Sequence, residues 1–269
     1  MRRFDIDALQ IVQGCGRSGT QGYQPKYIVG DLYIKQQCSI SAQLRDDYKV
    51  EVFASKTGDV LNIPVIKQES CLIVTQKGTR YGVVSKNLEV TEHVQFCSFK
   101  YLMERFGVFV DDMKLRHSNA LDKLTYYSEL YTKAINVPQI VAEKYMLSTA
   151  IIDIMVGNSD RHTRNFGAWL HCDGSYSLYP IFDNGLGFGQ GVSDLRYCRT
   201  YNDFMRETYI APYGEDLFEL LQMLDKIYHI KQRLLRPHLN ELSKLGKIGY
   251  PNAFAKEYYH NIINAIKEN

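Results

Sequence analysis

The sequence contains no long apolar run, no paired-cysteine motif and no large excess of charge of one sign. Its first residues, MRRFD, are not followed by an apolar stretch, so we expect neither a signal peptide nor a membrane span, and a cytoplasmic location. The six cysteines form no C-x-x-C pair and have no histidine at metal-ligand spacing, which argues against structural zinc and a disulfide scaffold. Lysines and arginines are dispersed and the net charge is +2, which gives no reason to expect direct nucleic-acid binding.

The most informative motif lies in residues 157–165 (GNSDRHTRN) and 181–185 (IFDNG). An aspartate, an asparagine five residues later and a second aspartate before a glycine form the pattern that Mg²⁺-dependent phosphoryl transfer uses. Asp160 is suited to orient an attacking hydroxyl and accept its proton. Asn165 and Asp183 are suited to bind Mg²⁺, because this cation prefers carboxylate and amide oxygens.

The segments around this motif predict how its parts come together. Residues 139–156 are apolar almost all round, which predicts a buried helix that leads into the loop. Two strand-like runs between residues 166 and 179 flank Asp173-Gly174, a strong turn signal that predicts a hairpin. Such a hairpin would carry the chain from Asn165 to Asp183 and bring the two metal ligands together.

A glycine-rich segment lies near the start of the chain. Residues 14–19 read GCGRSG and are followed by Gln24-Pro25-Lys26 and by two short β-rich runs around Gly30-Asp31. A glycine-rich loop that leads into a hairpin lets backbone N–H groups approach phosphates, because few side chains intervene. We expect Gly19, Thr20 and Gly22 to contact the nucleotide.

Lys35 ends the second of these runs, where it is placed to neutralise nucleotide phosphates if a carboxylate holds it extended. The best candidate is Glu51, in a predicted helix with the sequence YKVEVFASKTGDVL that ends near Gly58 and Asn62. Glu69 and Asp47 are weaker alternatives.

A further hairpin is predicted from residues 71–75 and 81–86, with Lys77-Gly78 at the turn. The end of its second strand, Val84-Ser85-Lys86, is where a hinge that contacts adenine is expected.

Strand patterns give way to helical ones between residues 86 and 96, which predicts an α+β fold with two lobes. The first is a small β-rich lobe over residues 1–90, and the second is a mostly helical lobe over residues 91–269. Helices of the second lobe are predicted at 98–107, 119–134, 139–156, 214–233 and 252–267.

These motifs together resemble the HipA-like serine/threonine kinase family, and most closely its compact CtkA type. The resemblance spans about residues 14–190. It implies a two-lobed protein-kinase-like fold that uses ATP and Mg²⁺, with Lys35, Asp160, Asn165 and Asp183 as the catalytic groups. His162 follows Asp160 in the motif and is expected to organise the loop near the nucleotide.

The resemblance also implies partners, and the chain departs from the family pattern at one position. The substrate would be a protein, by analogy an aminoacyl-tRNA synthetase, and an antitoxin or accessory protein is a further expected partner. Many members carry a regulatory serine where this chain has Gly19, and Ser18 and Thr20 flank that position.

Two other functions stay open at this point. The first is a lipid or small-molecule kinase. Phosphoinositide kinases carry a similar D-R-H-x-x-N loop, although residues 184–195 contain no Lys or Arg to bind inositol phosphates. Aminoglycoside-type phosphotransferases usually have a histidine two residues before the aspartate, where this chain has Asn158. A pseudokinase or a toxin–antitoxin interaction module would bind nucleotide without transfer, but such proteins normally lose one of the catalytic groups.

Overall fold

The computed structural model describes residues 1–6, 12–13, 24–40, 43–110, 118–190, 198–207, 213–214 and 216–268. Its first part is built around a six-stranded sheet with the strand order β1-β7-β8-β4-β3-β2. All neighbouring strands are antiparallel except β1 and β7, which are parallel. The elements of this part are β1 (Arg2–Asp5), β2 (Val12–Gln13), β3 (Lys26–Val29), β4 (Leu32–Gln36), β5 (Ser39–Ile40), β6 (Gln43–Leu44), α1 (Asp47–Leu61), β7 (Glu69–Thr75) and β8 (Gly78–Lys86).

Local sequence signals account for most of these elements. The β3–β4 and β7–β8 hairpins turn at Gly30 and Gly78, which have φ angles of 60° and 108° that glycine adopts without strain. Helix α1 ends where Asn62 takes a left-handed conformation and donates its N–H to Gly58. Both predicted hairpins and the predicted helix are therefore confirmed.

The second part of the chain is mostly helical. Its elements are α2 (Leu88–Thr91), β9 (Gln95–Ser98), α3 (Phe99–Arg105), α4 (Ala120–Ile135), α5 (Gln139–Val156), β10 (Gly167–Leu170), β11 (Tyr176–Leu178), α6 (Tyr201–Glu207), α7 (Leu217–Tyr228), a π-helical segment (Lys231–Leu235), a 3₁₀ turn (Arg236–His238), α8 (Leu239–Lys244), a second 3₁₀ turn (Leu245–Ile248) and α9 (Ala253–Lys267). A three-stranded sheet with the order β11-β10-β9 lies within it.

Two predictions about this part need correction. The helix expected over 214–233 is interrupted at His229, whose φ angle is 54°. Asp225 accepts the backbone N–H of Lys231 at 2.8 Å, which caps α7 and starts a separate segment. The helix expected from residue 98 begins at Phe99, because residues 95–98 pair with β10 as a strand. The predicted helix over 139–156 and the predicted hairpin at Asp173-Gly174 are confirmed.

The two parts have cores of very different size. One face of the six-stranded sheet buries a small cluster of Ile34, Cys71, Ile73 and Val84. A much larger cluster joins the helices and the β9–β11 sheet and also takes in Val50 and Phe53 of α1. Helix α1 therefore packs with the helical part while its N-terminal turns face the large sheet. The lobe boundary expected at residue 90 stays a prediction.

None of the helices in the described part of the chain has the length and apolar content that crossing a membrane requires.

Candidate active site

Lys35 is the central cation of the site. Side chains alternate along β4, so Ile34 enters the sheet's apolar cluster while Tyr33 and Lys35 point to the other face. The Lys35 ammonium is 2.6 Å from Glu51 Oε1 and also contacts Asp183 Oδ1. Lys35 and Glu51 are 7% and 1% exposed, so this ion pair is shielded from solvent.

Glu51 joins three segments that are distant in the chain. One of its oxygens accepts from Lys35, and the other accepts the backbone N–H of Asn184 at 3.1 Å. The two alternatives considered from the sequence lie elsewhere: Glu69 is 69% exposed beside Arg2, and Asp47 accepts the N–H of Cys38. The structure thus pairs Lys35 with Glu51.

The opposite charges of Lys35 and Asp183 keep both side chains ionised despite their burial. Burial alone would lower the pKa of Lys35, but Asp183 and Glu51 raise it well above its usual value. Burial likewise opposes ionisation of Asp183, yet Lys35 lowers the pKa of that carboxyl to about 2. Lys35 and Asp183 are therefore both charged at neutral pH.

The loop after α5 carries Asp160 and Asn165. Helix α5 ends at Gly157, whose φ angle is 60°, and Asn158 then accepts the backbone N–H of Asp160 at 3.2 Å. The Asn165 amide nitrogen donates to the Asp160 carbonyl at 2.9 Å, which leaves the amide oxygen as the group available to a cation. The Asp160 carboxylate is 42% exposed, as a group that meets an incoming substrate must be.

His162 lies beside Asp160, with its Nε2 4.0 Å from Asp160 Oδ2. Its Nδ1 accepts the backbone N–H of Arg164 at 3.2 Å, so a neutral ring carries its proton on Nε2, which faces the carboxylate. Burial raises the pKa of Asp160, His162 lowers it and Asp183 raises it further, and the net shift is upward. A raised pKa suits a carboxylate that accepts a proton during the reaction.

Arg161 is the functional residue that sequence reasoning missed. It is fully buried and donates to the Asp153 carboxylate, with its shortest contact at 2.8 Å. One of its nitrogens donates to the carbonyls of both Asn165 and Phe182 at 2.7 Å, and another donates to Asn184 Oδ1 at 2.6 Å. A single guanidinium therefore holds the segment of Asn165 against the segment of Asp183. The available signal was Asp153, the one charged residue in the C-terminal half of this helix.

The oxygen donors of Asn165 and Asp183 fit a magnesium ion whose remaining ligands are phosphate and water oxygens. In the described residues no three His, Cys, Asp or Glu side chains converge as a closed metal site. Asp183 has a φ angle of 57°, a left-handed conformation that turns its side chain toward Lys35.

A cavity of about 130 Å³ lies between the large sheet and the helical part. Its charged lining comprises Lys26, Lys35, Lys86, Glu51, Glu89 and Asp183. Of the expected hinge residues, Ser85 and Lys86 line this cavity, whereas Val84 points into the apolar cluster on the opposite face of the sheet. Lys26 pairs directly across from Lys35 in the β3–β4 register and places a second amine in the lining of this cavity. The expected contacts Gly19, Thr20 and Gly22 lie outside the described residues.

Comparison with known proteins gives a match at the level of structure. No protein-family profile and no curated protein sequence matches the chain. The Helicobacter pylori proinflammatory kinase CtkA superposes with a TM-score of 0.60 at 17% identity, covering 98% of this chain and 94% of that one. This chain therefore has a kinase fold. The two-lobed α+β architecture expected from the sequence is confirmed, and so, at the level of fold, is the resemblance to the CtkA type.

A second structure is less similar. A chain of the Shewanella oneidensis complex of HipA, HipB and operator DNA superposes with a TM-score of 0.46 at 12% identity. The superposition covers 95% of this chain and 66% of the Shewanella oneidensis chain.

Proposed function

We propose that this protein is an ATP- and Mg²⁺-dependent kinase that transfers the γ-phosphoryl group to a Ser or Thr of a protein. The observation that carries the proposal is the buried contact of Lys35 with both Glu51 and Asp183, next to a loop that presents Asp160. Lys35 comes from the sheet, Glu51 from α1 and Asp183 from the helical part, and only the tertiary fold brings them together. The kinase fold makes phosphoryl transfer the chemistry that fits this arrangement.

Each residue has a separate role. Lys35, held extended by Glu51, neutralises the phosphates nearest the sheet. Asp183 and Asn165 hold Mg²⁺, which when bound neutralises charge on the β- and γ-phosphates. Asp160 orients the acceptor hydroxyl and takes its proton as the new O–P bond forms. Arg161 contacts no substrate and instead positions the loops that carry these groups.

A protein acceptor is favoured over an inositol lipid. The chain after Asp183 has no lysine or arginine over residues 184–195, so it lacks the basic loop that would bind inositol phosphates. By analogy with HipA-type kinases, the acceptor is an aminoacyl-tRNA synthetase in the cytoplasm, with an antitoxin or accessory protein as a further partner.

The decisive experiment is incubation with γ-labelled ATP, Mg²⁺ and a lysate of host cells, followed by mass spectrometry of the labelled band. Asp160→Asn keeps the shape of the site, and we expect it to reduce labelling about 10²–10⁴-fold by removing the proton acceptor. Its Kd for Mg-ATP should stay near that of the wild type, since Asp160 acts on the acceptor.

Asp183→Asn serves as the contrasting variant. It should lose Mg²⁺-dependent ATP binding, because the charged metal ligand is gone. Label in lipid instead of protein would favour the phosphoinositide alternative. Tight Mg-ATP binding without any transfer would identify a pseudokinase and contradict the proposal.

A further inference from the structure

The segment that follows Asp183 has a glycine at every second position. Residues 184–190 read NGLGFGQ. The backbone folds into two turns, in which the N–H of Gly187 donates to the Asn184 carbonyl at 2.9 Å and the N–H of Gln190 donates to the Gly187 carbonyl at 3.1 Å. Neither metal binding nor proton transfer accounts for this pattern, so we asked what the segment contacts.

Phe188 anchors the segment in the large core. Its N–H donates to the carbonyl of Val156, the last residue of α5, at 2.8 Å, and its side chain is 1% exposed. The ring packs edge-on against Phe53 of α1, with centroids 5.2 Å apart. Gly187 permits this approach, because a Cβ atom there would lie 2.6 Å from the Val156 oxygen and 2.9 Å from Cγ1 of Val50. The segment is therefore packed directly between α1 and α5.

Both ends of the segment bind helix α1. At one end, the N–H of Asn184 donates to Glu51 Oε2 at 3.1 Å. At the other end, Gln190 Oε1 accepts the N–H of Asp46, the residue before α1, at 2.9 Å, and Gln190 is 3% exposed. Glu51 comes five residues after Asp46, which is about 7.5 Å along a helix axis. The segment thus spans the first turns of α1.

The first turn of α1 lacks the local groups that usually cap a helix. Among the described residues, the Asp46 side chain accepts no N–H of the helix and contacts Lys49 at 2.7 Å instead. In a capping box, a Glu or Gln three residues into the helix accepts the N–H of the capping residue. That position is Lys49 here, which has no acceptor atom. Gln190, 144 residues away in the chain, supplies the acceptor.

We propose that Gln190 is a positioning residue that holds the N-terminal half of α1 where Glu51 reaches Lys35. This inference rests on the proposed function and adds a group that touches no substrate. Under that function Asp183 exchanges its contact with Lys35 for one with the metal, so Glu51 is the carboxylate that continues to hold Lys35. Their contact is 2.6 Å long. A displacement of α1 by about 1 Å would take it beyond hydrogen-bond range.

The test is a double-mutant cycle of Gln190→Met and Lys35→Met in the full chain. Gln190→Met keeps the length of the side chain and removes its amide oxygen. We expect kcat/KM for ATP, taken from initial rates of protein labelling in the host lysate, to fall about 5–10-fold, the size of one lost hydrogen bond. In the Lys35→Met background the same change should lower kcat/KM less than about 2-fold, because Glu51 then has no lysine to hold. A merely structural role of Gln190 would lower it equally in both backgrounds.

Hydrogen exchange measured by mass spectrometry gives a second readout that does not depend on transfer. The amides in the N-terminal half of α1 should exchange about 5–10-fold faster in Gln190→Met than in wild type, because one of the contacts that holds this end is lost. Gln190→Asn keeps the amide but withdraws it by one carbon–carbon bond, and it should show the same two effects if Gln190→Met does not fold.

Gln139→Met is the matched control. Gln139 is a half-buried glutamine whose amide nitrogen donates to Ser128 at 2.8 Å and whose oxygen accepts from Thr132 at 3.0 Å, so it joins α4 to the start of α5. Its replacement should change neither kcat/KM nor the exchange of α1.

The outcomes separate this inference from the proposed function. If wild type is an active kinase and the Gln190 variants leave kcat/KM or the exchange of α1 unchanged, the inference is wrong while the proposed function stands. Equal losses of kcat/KM in the wild-type and Lys35→Met backgrounds would also overturn the inference alone. If wild type transfers no phosphate, the proposed function is wrong and the inference with it.

Discussion

Helices α1 and α5 each bury an aspartate near the candidate site. The aspartate of α5 is paired with a cation, whereas that of α1 accepts hydrogen bonds from neutral groups. Asp153 of α5 is paired with the fully buried guanidinium of Arg161 and also accepts from the Asn158 amide at 2.8 Å. Asp47 of α1 is 1% exposed and accepts hydrogen bonds from neutral groups: the amide of Gln24 and the backbone N–H groups of Cys38 and Tyr48, the latter two at 3.0 Å. Burial therefore raises the pKa of Asp47 to about 6 despite these bonds.

The difference shows how each half of the site is held. In the helical part, Arg161 fixes the loops of Asn165 and Asp183 through groups that no substrate touches. On the sheet side, the cation is Lys35, and its partner Asp183 is also the proposed metal ligand. Under the proposed function, the contacts of Arg161 stay the same when nucleotide binds, whereas on the sheet side Asp183 exchanges its contact with Lys35 for one with the metal.

The largest effect should come from removing the buried cation of the helical part. Arg161→Met leaves Asp153 buried without a charged partner, and we expect a loss of about 3–5 kcal/mol in the free energy of unfolding. Urea denaturation monitored by circular dichroism measures it. Arg164→Met removes an exposed arginine from the same loop and should change stability by less than about 0.5 kcal/mol. Equal effects of the two variants on the free energy of unfolding would contradict a special role of the buried Arg161 in stability.

Removing the cation on the sheet side should affect catalysis more than folding. Lys35→Met should lower kcat/KM for ATP about 10²–10³-fold, because a preorganised charge on the phosphates is lost. Lys26→Met, which changes the residue directly across the hairpin, should cause a smaller loss. If Lys26→Met is the more damaging variant, the principal phosphate contact belongs to Lys26.

The burial of Asp47 predicts a pH dependence of stability, because it outweighs the charge of Lys35, which lowers the pKa of this carboxyl. Its pKa is raised in the folded state, so the folded protein binds the proton more tightly than the unfolded chain. The contribution of Asp47 to the free energy of unfolding should then be largest below about pH 4. It should decrease by on the order of 1–3 kcal/mol as the pH rises through 6.

Asp47→Asn should abolish this decrease, because an amide does not ionise. Urea denaturation between pH 4 and 7 compares the variant with wild type. The neighbouring change Asp46→Asn, at a partly exposed carboxylate, should leave the decrease in place. An identical pH profile for wild type and Asp47→Asn would contradict the assignment.

The smallest effect should come from an ion pair near the surface of the same helix. Lys49 contacts Asp46 at 2.7 Å, with side-chain exposures of 30% and 35%. Lys49→Met should cost only about 0.3–0.5 kcal/mol, since solvent screens such pairs. A loss as large as that of Arg161→Met would mean that burial does not explain the contrast between the two halves.

The parts of the fold that could be predicted are those decided by neighbouring residues. Helix α5 was expected over the residues it occupies, and the hairpins at Gly30, Gly78 and Gly174 follow from turn chemistry. The helix predicted over 214–233 is longer than the observed α7, because the interruption after α7 depends on the side chain of Asp225, which accepts the backbone N–H of Lys231. The side chain of Val84 lies on the face of the sheet opposite Lys35 because of the strand register, and the hinge expected at residues 84–86 stays a prediction.

The sequence by itself determined the chemical types of the site and their order, because Asp160, Asn165 and Asp183 lie within short segments whose local structure is set by periodicity and turns. Only the tertiary structure decided which carboxylate meets Lys35, since Glu51 and Asp183 are 16 and 148 residues away from it. It also decided that Arg161 is buried beside Asp153. Such pairings depend on how helices and sheets pack, and residues distant in the chain leave no local pattern that specifies them.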